Sequence, residues 1–125
     1  MMAGENKLDS KIQLISEQSR AEIDRWVEKY PEEQKRSAVM AALRIVQDQN
    51  TGYLTNDLMD AVAEYLDMPS IAVYEVATFY SMYELEPVGR HKICICTNIS
   101  CMLCGSDNIV GHLTKQLGIK VGQTT

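Results

Sequence analysis

The sequence predicts an α+β chain, with an antiparallel helical bundle over residues 19–86 followed over 87–125 by the first part of an α/β domain. Three observations predict it. Four consecutive segments carry apolar side chains at the spacing of one helix face, the period switches to two after Glu86-Pro87-Val88-Gly89, and all four cysteines fall between Cys94 and Cys104. A chain of 125 residues has room for one compact domain, or for a helical unit plus a small second unit.

Residues 1–18 are polar enough to read as a flexible tail. Ser19 and Glu22 form a capping-box pair, and Ile23, Trp26, Val27 and Tyr30 follow on one helix face up to Pro31. Ser37 caps a second helix in which Val39, Ala42, Leu43 and Val46 repeat that spacing, and Asn50-Thr51-Gly52 ends it. Thr55 opens a third segment, with Leu58, Ala61, Val62 and Tyr65 aligned. Pro69 starts a fourth as a first-turn proline, with Val73, Val76, Ala77 and Tyr80 on one side. Each helix is apolar on one side only and must bury that stripe against the others, and the short connections suit antiparallel neighbours. The aromatic run at Phe79-Tyr80 is assigned to packing, and Glu84 and Glu86 to solvent.

Beyond Gly89 the pattern changes. Ile93 and Ile95 alternate with Cys94 and Cys96, which predicts a short strand aimed at a polar loop, with Cys94 as a small buried hydrophobe. Ile109, Val110, Leu113 and Leu117 then mark a helix stopped by Gly118.

Composition narrows the function. With 46% hydrophobic and 23% charged residues the chain has the balance of an ordinary globular protein. A net charge of −5 removes the electrostatic attraction on which nucleic-acid binding depends, and no apolar run approaches the roughly 20 residues that span a bilayer. Nucleic acid and direct membrane insertion are therefore not expected, and the start of the chain predicts a cytoplasmic protein without a leader. No glycine-rich phosphate loop occurs, so tight binding of a dinucleotide or flavin by this chain is not expected either.

Cysteines clustered in such a chain point to metal or redox chemistry rather than a disulfide framework. Cys96 and Cys101 lie on a loop that leaves a strand and enters a helix, so both sulfurs can reach one iron. A [2Fe–2S] centre needs four thiolates, two for each iron, and one pair completes one iron. The same residues allow other readings. Cys96, Cys101 and Cys104 spell C-x4-C-x2-C, a spacing of plant-type ferredoxins. Cys101 and Cys104 form a C-x-x-C at a helix start, the arrangement of a thiol–disulfide exchange protein. Zinc would need two further ligands, and only His91 and His112 are on offer.

The segments YPEEQKRSAVMAAL, QNTGYL, VYEVATFYSMYELEPVGRHKI and CTNISCMLCGS, ending in LGIKVGQTT, resemble successive blocks of the small [2Fe–2S] electron-transfer subunit of NADH:quinone oxidoreductase, respiratory complex I. The resemblance covers about residues 20–125. It implies a helical bundle followed by a thioredoxin-like [2Fe–2S] domain, and it matches the family's first cysteine pair to Cys96 and Cys101, which become the expected cluster ligands. It also implies an electron-transfer role without a catalytic site of its own, beside an FMN-binding flavoprotein subunit that handles NADH. Other peripheral-arm subunits would be further partners, on the cytoplasmic side of the bacterial inner membrane. The family's second cysteine pair lies beyond the Gly-Gln-Thr-Thr segment, so the thioredoxin-like part is expected to be incomplete here and its ligand set with it. A non-catalytic truncated subunit is accordingly an alternative. Cys104 stands where family members usually carry another residue, often arginine. Similar subunits serve as diaphorase components of NAD-reducing hydrogenases and NAD-dependent formate dehydrogenases.

Overall fold

The computed structural model describes residues 11–125 and divides into two compact units, one running to Pro87 and one from Val88 to Thr125. The first contains α1 (Glu17–Val27), a 3-10 segment (Glu32–Ala38), α2 (Val39–Gln49), α3 (Asn56–Tyr65) and α4 (Ser70–Phe79).

Helix α1 starts earlier than Ser19 and Glu22 suggest. Ser16 is its cap, in extended backbone, with its Oγ accepting the Ser19 N–H at 3.2 Å. Ser19 lies inside the first turn, buried, in a 3.0 Å hydroxyl–hydroxyl hydrogen bond with Ser16. Arg20 donates to the carbonyls of Ile15 (2.9 Å) and Ile12 (3.2 Å), and Ile15 is fully buried. The chain is thus packed ahead of residue 19, where the tail was expected to continue. The rest of that expectation, residues 1–10, lies outside the described residues.

Ile23 of α1, Leu43 and Val46 of α2, Val62 of α3 and Val73 of α4 meet in one core and expose no surface. Helix α1 packs on α2, and α3 packs on both α2 and α4. These are side chains that the helix spacing singled out. Thr55 caps α3 as expected, its Oγ1 accepting the Leu58 N–H at 3.2 Å. Ser37 caps nothing, because the chain before α2 winds into the 3-10 segment and α2 starts from Ala38 with no side-chain cap. Trp26 and Tyr30 are exposed rather than buried, Tyr30 lying beyond the end of α1 at Val27, and Lys29 Nζ sits 3.7 Å from the Trp26 ring centroid. Phe79 and Tyr80 also face outward, Phe79 at 80% exposure, and meet edge-on at 5.0 Å.

The end of this unit is tied down by side chains. Gln47 Oε1 accepts the Glu84 N–H at 2.8 Å while Gln47 Nε2 donates to the Met82 carbonyl at 3.1 Å. The Glu84 carbonyl accepts from Leu54 N–H at 2.7 Å, so this residue is held by its backbone rather than merely solvated. The buried Tyr83 donates its hydroxyl to the Met40 carbonyl at 2.9 Å.

Tyr65 links α3 to α1 by donating to Asp24 Oδ1 at 2.6 Å. Burial, and then the hydrogen bond to Asp24, push its phenol up to about 12. A folded value above the unfolded one near 10 means that this contribution to stability is fully present below pH 10 and lost as pH rises through 12. The stability gap between wild type and Tyr65→Phe, measured by urea unfolding, should therefore stay constant from neutral pH to about 10 and shrink above it. A gap that closes below pH 9 would contradict this.

In the second unit the chain runs irregularly to Asn98, then forms α5 (Ile99–Leu103) and α6 (Ser106–Leu117), which pack on each other. The strand expected over residues 93–96 is not formed, and no strand occurs among the described residues. A strand exists only through a ladder to a neighbour, and this segment has none. Every buried apolar side chain among the described residues lies between Ile15 and Tyr83. Of the described residues in the second unit only Ser106 is buried, so the apolar face of α6 stays largely uncovered, with Ile109 and Leu117 exposed. Gly118, at φ +65°, ends α6 where the sequence placed the stop. Among the described residues no helix is long and apolar enough to cross a membrane.

Candidate metal centre

The cysteines are presented by a short local program. Asn98, in extended backbone, caps α5 by accepting the Ile99 N–H on its own Oδ1 at 2.8 Å, and its carbonyl accepts from Met102 N–H at 2.8 Å. That turn carries the chain from the segment bearing Cys94 and Cys96 into the helix bearing Cys101. Cys104 closes α5, its N–H bonded to the Ser100 carbonyl at 3.1 Å. Gly105 then takes φ +100°, a left-handed conformation that costs other residues free energy, and α6 departs from it.

All four cysteines are free thiols and exposed. Cys94 is therefore not the buried hydrophobe that alternation with Ile93 and Ile95 implies, because no sheet packs over this segment. Cys94, Cys96, Cys101 and Cys104 line one shallow, open depression of about 390 Å³ together with Ile95, Ser106 and Ile109. The Asn98 backbone N–H, and after it the Cys101 thiol, donate to Cys96 sulfur and hold its thiol below the ordinary range. Thiolate is the form that binds metal, so the geometry favours the ligating state at Cys96.

Cys96 and Cys101 are thus brought within hydrogen-bonding reach, while Cys94 and Cys104 share the depression. His91 and His112 do not line it. Among the described residues no three His, Cys, Asp or Glu side chains already form a cage for a metal ion. The donor set fits one iron of a [2Fe–2S] centre through two thiolates, and the other iron needs two thiolates more. Two contributors were not evident in the sequence. Asn98 carries the cap and feeds Cys96, and a polar residue with cap propensity just ahead of an apolar pair was its only signal. Ser106 is buried to 3% exposure and its Oγ has no hydrogen-bond partner among the described residues, which sequence pattern does not encode.

The family model described as thioredoxin-like [2Fe–2S] ferredoxin matches residues 23–125, which spans parts of both units. Curated relatives agree with it. The chain is 43% identical over 106 residues to the second E-type NADH-quinone oxidoreductase subunit of Rhizobium meliloti (strain 1021), covering 85% of this chain and 61% of that protein. It is 46% identical over 99 residues to the E-type NADH-quinone oxidoreductase subunit of Rickettsia prowazekii (strain Madrid E), covering 79% of this chain and 56% of the relative. The corresponding protein of Rickettsia felis (strain ATCC VR-1525 / URRWXCal2) is also 46% identical over 99 residues, which cover 79% of this chain and 59% of the relative. The chain therefore spans about three-fifths of the length of these curated relatives. With the cysteine-lined depression inside the matched region, the chain belongs to the thioredoxin-like [2Fe–2S] ferredoxin family.

Proposed function

We propose that the chain acts as an electron-transfer subunit of NADH:quinone oxidoreductase, with Cys96 and Cys101 holding one iron of a [2Fe–2S] centre. The observation that carries the reading is the open depression that Cys96 and Cys101 line together, inside a region matched to the [2Fe–2S] family. When bound, the centre supplies one-electron chemistry. The protein's part is to position it. Asn98 sets the turn between the two ligands and its N–H stabilises negative charge on Cys96 sulfur, while the shallow depression leaves the site open to a docking partner. That partner is the FMN-binding flavoprotein subunit, which holds both FMN and NADH, within the peripheral arm on the cytoplasmic side of the membrane.

We further read the two units as the helical part of the family, about 19–86, and the first part of its thioredoxin-like domain, about 87–125. In that reading residues 93–96 pair as a strand once neighbouring strands are supplied.

Expressed anaerobically with the flavoprotein subunit, the chain should co-purify with it and contain iron and inorganic sulfide. NADH should bleach its visible absorbance and raise the EPR signal of a reduced [2Fe–2S] centre. A complex that forms without iron, or whose absorbance is unchanged by NADH, would overturn the proposal.

A further inference from the structure

Among the described residues Ser106 is the one buried residue of the second unit, and it lines the same depression as the four cysteines. Its Oγ is closed to solvent and bonded to none of the described residues. Helical hydroxyls ordinarily return to the carbonyl four residues back, as Thr114 does to Val110 at 2.7 Å. For Ser106 that route is interrupted, because it is the first residue of α6 and the left-handed Gly105 turns the chain away from α5. An unpaired buried hydroxyl is costly, and native structures seldom keep one without a reason. The hydroxyl is covered by neighbouring atoms as it stands, and rotation about its single side-chain torsion, which breaks no hydrogen bond, is the movement that brings it to an acceptor in the depression. The acceptors implied by the cysteine lining are sulfurs, either cysteine thiolate or bridging sulfide.

We infer that the Ser106 hydroxyl donates a hydrogen bond to a sulfur of the [2Fe–2S] centre and so raises the reduction potential of that centre. The inference rests on the proposed function. Reduction adds one electron, drawn from the flavin of the partner subunit, and places further negative charge on the sulfurs. An O–H donor stabilises the reduced form more than the oxidised form, and the proton stays on Ser106 throughout. Hydrogen bonds to cluster sulfur are among the means by which proteins set such potentials.

The test compares wild type, Ser106→Ala and Ser106→Thr, each purified anaerobically with iron and sulfide supplied. Potentials are read by EPR-monitored redox titration, and iron content and melting of the metal-free chain are measured alongside. Ser106→Ala should lower the equilibrium constant for reduction about tenfold, which is about 59 mV more negative for one electron, and Ser106→Thr should restore most of it. Metal-free Ser106→Ala should melt no earlier than wild type, because its hydroxyl has no partner to lose. Equal potentials in loaded wild type and Ser106→Ala would overturn the inference and leave the electron-transfer reading standing. A lower melting temperature for metal-free Ser106→Ala would overturn it as well, by revealing a partner within the chain. Wild type that takes up no iron would overturn the electron-transfer reading and this inference with it, an outcome that iron analysis separates from the other two.

Discussion

Cys96→Ser should weaken iron binding more than about 100-fold, since changing even the groups behind a metal ligand typically costs 10–100-fold. Cys101→Ser should do the same, and Cys104→Ser should leave iron content near that of wild type. The asymmetry follows from the geometry. Cys96 and Cys101 flank the Asn98 turn, whereas Cys104 lies at the far end of the helix that follows it. Iron and sulfide content after anaerobic reconstitution, with the visible spectrum, reads the result. If Cys104→Ser lost iron as completely as Cys96→Ser, the C-x4-C-x2-C reading would replace the two-ligand one. None of the three changes should move the melting of the helical unit, because the cysteines contribute nothing to the core between Ile15 and Tyr83.

Leu43→Ala acts on the other unit. Leu43 is completely buried on α2, the helix that packs against α1, α3 and α4. Truncating such a residue removes transfer free energy and leaves a cavity, together about 3 kcal/mol. For a unit of this size that lowers the melting temperature by on the order of 12–24 °C. Urea unfolding followed by far-UV circular dichroism measures it, and a loss below about 1 kcal/mol would show that the site collapses around the smaller side chain. Alkylation of the four thiols should meanwhile proceed as fast in Leu43→Ala as in wild type, since they are exposed in the folded chain.

Much of the helical unit was legible because burial imposes a period. Leu43, Val46, Val62 and Val73 had to face inward once their helices formed, and they do. What the pattern missed were local choices between nearly equivalent alternatives. Ser16 and Ser19 can each cap a helix, and the pairing of Arg20 with the Ile12 and Ile15 carbonyls accompanies the earlier start. The segment Glu32–Ala38 winds as a 3-10 helix without any apolar repeat to announce it. Period two at residues 93–96 describes a segment suited to a strand, but pairing is a property of two segments, and no strand pairs with it among the described residues. At the site, the spacing of Cys96 and Cys101 was readable as a candidate ligand pair, and both line the same depression. The exposure of Cys94 and the isolation of the Ser106 hydroxyl depend on what covers each atom, which no linear pattern records.

Gln47 uses both ends of one primary amide, the oxygen on Glu84 and the nitrogen on Met82. A peptide group pairs with a neighbouring strand in the same way, so this side chain supplies the tail of the helical unit with a one-residue substitute for a sheet partner. The substitutions open to the position are correspondingly few. Glutamate has the same shape and reach but sets an oxygen against the Met82 carbonyl, lysine offers no acceptor to Glu84, and asparagine is one methylene short. At this half-buried helix position glutamine alone among these four keeps both bonds, which reach two atoms of backbone 35 and 37 residues away.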